Sequence, residues 1–187
     1  MKFVIITGSS RNDSNTKRMA ASFEGAAYIK ALATGQQVSV KNIDASQLNI
    51  GLCQACDTCF STGKPCSYDD DFNTVADAIL EADGIVIAAP VYWYGLPASV
   101  KLLMDKCYSF YNSIEKRFEG KKAALLSCCG DEDSSTFDGI KFEFEKSMEI
   151  MSAEVVGEVL VAGVYPEGAV KSTSGIDQAA QLINKFM

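Results

Sequence analysis

Four of the seven cysteines lie close together in one short segment. Two residues separate Cys53 from Cys56 and Cys56 from Cys59, and Cys66 follows after six more. Thiolates spaced in this way can converge on one metal centre, and three close cysteines with a fourth beyond them are typical of iron–sulfur ligation. A four-cysteine zinc site is a second interpretation, although such sites usually pair two separated C-x-x-C units. Ordinary thiols in a loop that contacts another subunit are a third, and the spacing alone leaves all three open.

The other three cysteines and the absence of histidine restrict the chemistry further. Cys107 lies on the apolar stripe of a predicted helix and is interpreted as a core residue, and Cys128 and Cys129 are adjacent. An odd cysteine count in this layout does not suit a secreted disulfide framework, so a reducing cytoplasm is the expected location. The chain has no histidine, which excludes Ser-His-Asp and Cys-His catalysis and histidine zinc sites. We therefore expect the chemistry to come from a bound cofactor.

The composition and length indicate one globular domain. The chain has 187 residues, 48% of them hydrophobic, and we predict a single domain over 1–187 with a cysteine-rich loop at 52–67. A net charge of -7 without a basic patch argues against nucleic-acid binding. No apolar run is long enough for a membrane span, and the first residues are interpreted as a strand rather than a signal peptide.

Short apolar runs alternate with helical periodicity along the chain. Between and after the apolar runs, four segments carry apolar residues at helical spacing, beginning near Phe72, Leu96, Ile140 and Ile176. Strict alternation of this kind predicts right-handed βαβ units and a doubly wound parallel sheet with helices on both faces. Ligands of such sheets bind beyond the carboxyl ends of the strands, where the strand order reverses. The predicted strands are Phe3 to Ile6, Val38 to Ile43, Ile85 to Ala89, Ala123 to Cys128 and Val155 to Val161.

The loop after the first predicted strand has the composition of a phosphate site. It runs from Thr7 to Thr16, is rich in hydroxyl and amide side chains, contains Arg11 and opens directly into a helical stripe. Free main-chain N–H groups and the positive end of the helix dipole would attract an anion there. The same residue types are also favoured as helix N-caps, so this loop alone leaves both interpretations open.

Three consecutive aromatic residues follow the third predicted strand. Tyr92, Trp93 and Tyr94 stand in the segment from Pro90 to Gly95, at the carboxyl end of that strand. A flat heteroaromatic ligand can pack against such a segment, and main-chain amides can reach its edge. An exposed aromatic turn or a subunit contact would use the same residue types.

With these motifs in order, the whole sequence resembles the NADPH-dependent FMN reductase-like branch of the flavodoxin superfamily. The resemblance implies a flavodoxin-like five-stranded sheet in the order 2-1-3-4-5 and bound FMN. It assigns the FMN phosphate to Ser9, Arg11, Ser14, Asn15 and Thr16, and the isoalloxazine ring to Pro90, Val91, Tyr92, Trp93, Tyr94 and Gly95. The loop with Ser127, Cys128 and Gly130 would close the other side of the ring.

The cysteine spacing is also similar to that of the iron–sulfur flavoproteins within this superfamily. That similarity implies a [4Fe-4S] cluster on Cys53, Cys56, Cys59 and Cys66, while zinc and no metal remain the alternatives. The resemblance implies an oxidoreductase that takes a hydride from NAD(P)H and passes electrons to a quinone, a flavin, a nitro or azo compound, or a protein. No side chain is assigned as a catalytic acid or base. The rival hypothesis is a non-enzymatic electron carrier, and a homodimer or homotetramer is expected in either case.

Overall fold

The computed structural model describes residues 1–111 and 118–187. Its strands form one five-stranded parallel sheet in the order β2-β1-β3-β4-β5. This order confirms the prediction from the sequence, and each strand lies within about one residue of its predicted bounds. The strands are β1 (Lys2–Thr7), β2 (Ser39–Asp44), β3 (Gly84–Pro90), β4 (Lys122–Cys128) and β5 (Glu154–Val161).

Helices connect the strands and cover both faces of the sheet. The four predicted apolar stripes coincide with helices in the structure, although the second begins two residues before its helix and the last continues into a short 3-10 turn. The helices are α1 (Asn15–Thr34), α2 (Cys59–Thr62), α3 (Phe72–Glu81), α4 (Ala98–Lys106), α5 (Tyr108–Tyr111), α6 (Asp138–Ile150) and α7 (Gly175–Gln181). Short 3-10 segments span Ala45–Gln47, Ser134–Phe137, Ala169–Ser172 and Leu182–Lys185.

The central strands are buried on both faces because helices cover both sides of the sheet. On one side, Phe3 of β1, Phe23 of α1 and Phe186 pack edge to face with ring centroids 5.3 to 5.4 Å apart. On the other side, apolar residues of α3, α4 and α6 form a second core cluster, which includes Phe72, Leu103 and Phe144. The near-continuous apolar character of β1, β3 and β4 follows from this burial.

The register of the strands brings their carboxyl ends to one edge of the sheet. Thr7 of β1 pairs with Ala88 of β3, and Pro90 of β3 pairs with Cys128 of β4. Cys128 in turn pairs with Val161 at the end of β5. The loops that follow these four strands therefore meet at the same edge. None of the helices in the described residues has the length and apolar character that crossing a bilayer requires.

We predict that Gly84→Ala destabilises the fold, because a Cβ at Gly84 would lie 2.6 Å from two ring carbons of Phe3. Phe3 is held by its aromatic neighbours and cannot move away freely, so the expected loss is about 1–3 kcal/mol of unfolding free energy. Urea unfolding followed by circular dichroism measures it. The matched control is Gly25→Ala in α1, where nothing lies within 4 Å of the added Cβ. That control should gain about 0.5–1 kcal/mol, and equal effects of both changes would contradict the packing argument.

Candidate functional site

The loops after β1, β3, β4 and β5 enclose a cavity of about 350 Å³ at the carboxyl edge of the sheet. We call it the sheet-edge cavity. Eleven of the residues predicted from the sequence line it, and they come from the first three of these loops. The lining residues are Ser9, Arg11, Ser14, Asn15, Thr16, Pro90, Val91, Tyr92, Trp93, Cys128, Cys129, Gly130, Val164 and Tyr165.

Helix α1 begins at the floor of this cavity with a regular N-cap. The Ser14 hydroxyl accepts a hydrogen bond from the Lys17 main-chain N–H at 3.2 Å. The predicted N-cap is therefore present, and it does not conflict with anion binding because the remaining N–H groups of the first turn still point out of the helix end. The first turn carries no acidic residue, so no side chain of that turn neutralises the positive end of the dipole.

Hydroxyl groups at this helix end are buried but only loosely bonded inside the protein. Ser9, Ser14 and Thr16 are all less than 5% exposed. The Thr16 and Ser14 hydroxyls contact each other at 3.4 Å, and the Ser9 hydroxyl accepts from the Arg11 N–H at 3.3 Å. Both contacts are long, since hydrogen bonds between hydroxyls are usually about 2.7–2.8 Å and those from an N–H to an oxygen about 2.9–3.0 Å. The hydroxyls are therefore available to a ligand that accepts hydrogen bonds.

The Asn15 side chain has a structural role instead. Its amide nitrogen donates to the carbonyls of Val164 at 3.0 Å and Pro166 at 2.9 Å. Its amide oxygen accepts from the Val170 N–H at 3.1 Å. Asn15 thus fastens the start of α1 to the loop after β5, and its main-chain N–H is the group that it can offer to a ligand.

Arg11 lies over the mouth of the cavity and contacts Tyr165. The guanidinium donates to the Tyr165 carbonyl at 2.8 Å and stands 4.9 Å from the centroid of the Tyr165 ring. Gly130 leaves room for the Tyr165 side chain, because a Cβ at Gly130 would lie 3.0 Å from the Tyr165 ring. Arg11 is exposed, so its guanidinium can reach an anion in the cavity at little desolvation cost.

A tight turn presents the aromatic segment after β3. Trp93 and Tyr94 both have positive φ, +48° and +66°, and Tyr92 and Gly95 exchange two main-chain hydrogen bonds of 3.1 Å. Such φ values are unfavourable for bulky residues, and strain of this kind is most often found at functional sites. Helix α6 supports the turn through Glu143, whose carboxylate accepts from the Leu96 N–H at 3.1 Å. The turn leaves Trp93 96% exposed at the rim of the cavity.

The two adjacent cysteines at the end of β4 point to opposite sides of the sheet. Cys128 packs with apolar residues of the α1 side, and Cys129 packs with those of the α6 side. Burial, reinforced by Cys129, raises the pKa of the Cys128 thiol to about 12, although the Arg11 charge and the Thr16 main-chain N–H oppose the shift. Cys128 therefore lines the cavity as a protonated, neutral thiol and does not act as a nucleophile.

Three residues predicted for the ring site lie outside the cavity lining. Tyr94 and Gly95 lie in the turn but are not among the lining residues, and Ser127 is fully buried in β4 with its hydroxyl donating to the Ala89 carbonyl at 2.7 Å. Cys129 of the predicted Ser127 to Gly130 loop also lines the cavity, and so do Val164 and Tyr165, which were not predicted from the sequence. The position of the loop after β5 could have predicted Val164 and Tyr165, because β5 lies beside β4 and its loop must emerge at the same edge of the sheet.

The four clustered cysteines line a second, small cavity. Cys53 and Cys56 are exposed, and Cys59 and Cys66 are half-buried. The space among their side chains is about 20 Å³, which a multi-iron cluster would have to widen. Within residues 1–111 and 118–187, no three Cys, Asp, Glu or His side chains converge on a single ion position. Four thiols are the donor set of an iron–sulfur cluster and of a four-cysteine zinc site alike, and either centre would have to draw these side chains together.

The environments of these thiols differ. Hydrogen bonds from the side chain and main chain of Thr58 and from the Ser67 hydroxyl lower the pKa of Cys56. Burial, with smaller contributions from the three other clustered cysteines, raises the pKa of Cys59. Ala55 and Asp57 both have positive φ, which turns the chain sharply between Cys53 and Cys59. The cysteine loop is thus held in a strained, compact shape.

Asp70 closes the base of the cysteine loop. Its carboxylate accepts hydrogen bonds from the Gly51 N–H at 2.9 Å and from the Phe72 N–H at 3.1 Å. It also forms an ion pair with Lys106, the last residue of α4. Burial would raise the pKa of Asp70, but the Lys106 ammonium and these two N–H groups hold it below its ordinary value.

The fold is shared with solved flavin-dependent proteins. An FMN-dependent NADH-azoreductase of Bacillus anthracis, solved with FMN, superposes with a TM-score of 0.74 at 11% identity, covering 100% of this chain and 99% of that one. An NADH:FMN oxidoreductase solved in its apo form gives a TM-score of 0.70 at 17% identity, covering 99% and 87%. At these identities the likeness establishes the fold alone.

Curated sequences give closer relationships over shorter stretches. An iron–sulfur flavoprotein of Methanosarcina thermophila is 34% identical over 106 residues, which are 57% of this chain and 52% of that protein. One from Methanocaldococcus jannaschii is 29% identical over 92 residues, covering 49% and 46%. The chain spans about half the length of the curated relatives that it matches.

The family model described as NADPH-dependent FMN reductase matches residues 1–162. That stretch includes all five strands and every loop that lines the sheet-edge cavity except the part after residue 162. The match covers well over half of the chain. The chain belongs to the NADPH-dependent FMN reductase family.

Proposed function

We propose that this protein is an FMN-dependent oxidoreductase that accepts electrons from NAD(P)H and passes them to a separate acceptor. The observation that carries the proposal is the sheet-edge cavity, in which three separately predicted loops meet around buried hydroxyls, a helix N-terminus and an aromatic turn. The acceptor classes implied by the sequence are quinones, flavins, nitro and azo compounds and redox proteins.

The residues at the start of α1 fit the phosphate of FMN. The hydroxyls of Ser9, Ser14 and Thr16 would donate to the phosphate oxygens, together with the free N–H groups of the first helical turn. Arg11 would leave the Tyr165 carbonyl and pair with the dianion, since a charged partner forms a stronger hydrogen bond than a neutral carbonyl. The flat part of the cofactor would then lie along the segment from Pro90 to Trp93.

FMN, when bound, supplies the electron transfer chemistry, which explains why the chain needs no histidine. The Pro90–Trp93 segment and the loop at Cys128 and Gly130 would hold the ring between them, and that loop would exclude water from its side. Cys128 stays protonated there because burial raises its pKa to about 12. The exposed side near Trp93 remains open for a nicotinamide and for the acceptor in turn.

We predict that Arg11→Gln raises the dissociation constant of FMN about 10- to 100-fold, since a hydrogen bond to a charged group contributes about 1.5–3 kcal/mol. The chain has one tryptophan, and Trp93 lines the cavity, so quenching of its fluorescence during an FMN titration measures the affinity. Riboflavin, which lacks the phosphate, should bind wild type and variant equally. Anaerobic addition of NADPH or NADH to the FMN-loaded wild type should bleach the flavin absorbance.

Lys101→Gln is the matched control, because it also removes one positive charge but from an exposed ion pair with Asp105 on α4. It should leave FMN affinity unchanged. An Arg11 variant that binds FMN as tightly as wild type, or that loses riboflavin affinity to the same degree, would contradict the phosphate role. A wild-type protein that takes up no FMN would contradict the proposed function as a whole.

A second candidate function, electron relay through an iron–sulfur cluster, is favoured by one observation. All four clustered cysteines border the same cavity although twelve residues separate the first from the last. Cys53, Cys56, Cys59 and Cys66 would hold the cluster, which supplies one-electron transfer when present. The names of the iron–sulfur flavoproteins among the relatives support this candidate.

We predict that anaerobic reconstitution loads about four irons per chain and that Cys56→Ser abolishes or sharply reduces this loading. Iron and sulfide assays with a visible spectrum measure it. Cys107→Ala is the control, since Cys107 is a buried thiol outside the four-cysteine cavity and should leave loading intact. Wild type that binds no iron, or a Cys56 variant that binds as much as wild type, would eliminate this candidate and leave the plain flavin reductase.

The exposed aromatic rim of the sheet-edge cavity supports the expected homodimer or homotetramer. Trp93 is 96% exposed, and its neighbours Tyr92 and Tyr94 are 47% and 59% exposed. Tyrosine and tryptophan are enriched where subunits meet. We predict that the protein sediments as an oligomer at micromolar concentration and that Trp93→Ser weakens association. Leu32→Ser on α1, where Leu32 is 85% exposed, is the control, and a purely monomeric wild type would refute the expectation.

A further inference from the structure

Lys106 is the only charged residue of the described part of the chain, residues 1–111 and 118–187, that is buried. Its side chain is 2% exposed. Burying an ammonium group is costly unless a partner compensates for lost hydration, and lysine is almost never fully buried without one. An uncharged residue would fill this position at the end of α4 without that cost. The charge therefore needs a reason beyond packing.

The partner of Lys106 is Asp70, which is 11% exposed and closes the cysteine loop. The same carboxylate accepts from Gly51, where the loop starts, and from Phe72, where α3 begins. The ion pair with Asp70 therefore connects Lys106 on α4 to both ends of the cysteine loop. Two further bonds strengthen the base: Asn49 donates to Asp71 at 2.7 Å, and the Asn73 side chain accepts from Cys66 at 2.8 Å.

The two members of the ion pair do not lie equally close to the thiols. Lys106 borders the cavity that the four cysteines line, whereas Asp70 does not. The ammonium stands 5.7 Å from the ring centroid of Tyr68 and 5.9 Å from that of Phe72, which screen it from water on the loop side. The positive member of the pair is thus the one that lines the same cavity as the four cysteines. A four-thiolate centre is an anionic assembly, and a fixed positive charge beside it offsets the repulsion among the thiolates.

We infer that Lys106 is the positioning residue of the four-cysteine site, holding the cysteine loop closed on α4 and placing one positive charge beside the thiolates. This inference rests on the second candidate function, in which the loop binds a metal centre. It assigns Lys106 to that centre as a neighbour that sets affinity and potential, without making it a ligand.

The test compares Lys106→Met with Lys106→Arg and with Lys101→Met, an exposed charge removal on the same helix. Co(II) binding to the anaerobic apoprotein, followed by its thiolate charge-transfer absorption, reports affinity. We expect Lys106→Met to bind Co(II) about 10- to 100-fold more weakly, as substitutions next to metal ligands typically do. Lys106→Arg should retain most of the affinity. In iron-loaded protein, the midpoint potential of Lys106→Met should shift to more negative values, and Lys101→Met should match wild type in both measurements.

Folding of the variants is checked by FMN titration through Trp93, which the substitution should not alter. If Lys106→Met does not fold because Asp70 is left as an unpaired buried charge, the neutral double variant Lys106→Met with Asp70→Asn takes its place. That variant should fold and still bind Co(II) weakly. Unchanged affinity and potential in these variants would overturn the inference.

The experiments distinguish failure of the proposed metal site from failure of the positioning role of Lys106. If wild type binds neither cobalt nor iron, the second candidate function is wrong, and amide hydrogen exchange decides the positioning role. Faster exchange over residues 51–67 in Lys106→Met than in Lys101→Met would support a loop held closed by Lys106. Equal exchange in the two variants would overturn that role as well.

Discussion

The geometry of the sheet-edge cavity depends on the hydrogen-bonded register among the central parallel strands. Pairing of Thr7 with Ala88 and of Pro90 with Cys128 fixes how far each loop extends beyond the sheet. The Gly8 N–H continues this ladder by donating to the Ala88 carbonyl at 3.0 Å. A shift of one residue would turn every side chain of a strand to the opposite face, into a core packed around side chains of other shapes. The core therefore determines the relative heights of the loops, and those heights shape the cavity.

Polar residues at this edge divide into those that build the cavity and those left free for a ligand. Asn15 and Ser127 are buried and fully engaged with main-chain groups, so they hold neighbouring loops and strands together. The hydroxyls of Ser14 and Thr16 make a long contact with each other, Ser14 also accepts the N-cap hydrogen bond from the Lys17 N–H, and Arg11 has an exposed partner. The residue type does not tell the two groups apart, since serines occur both among the residues that build the cavity and among those left free for a ligand. Only the contacts in the folded chain do.

Periodicity and strand composition predicted the sheet and the order of its elements, because burial on two faces leaves a strong pattern in β1, β3 and β4. The phosphate loop was predicted because its hydroxyls and Arg11 stand next to a helix start in the sequence. Tyr165 was not predicted, since its partner Arg11 is 154 residues away. The positive φ of Trp93 and Tyr94 was equally hidden, because aromatic residues do not favour that conformation. Likewise, the cysteine spacing predicted a site of four thiols, but it could not predict the Asp70–Lys106 ion pair at the base of their loop.

The alternation of side chains along β4 has a consequence for the adjacent cysteines at its end. Cys128 and Cys129 are neighbours in sequence, but they belong to core clusters on opposite sides of the sheet. Their sulfur atoms cannot bond to each other while the end of β4 stays paired with β3 and β5. A disulfide between them could form only after that edge of the sheet had come apart. Such a bond, wherever it is detected by mass spectrometry, would be a chemical record that the molecule had unfolded there under oxidising conditions.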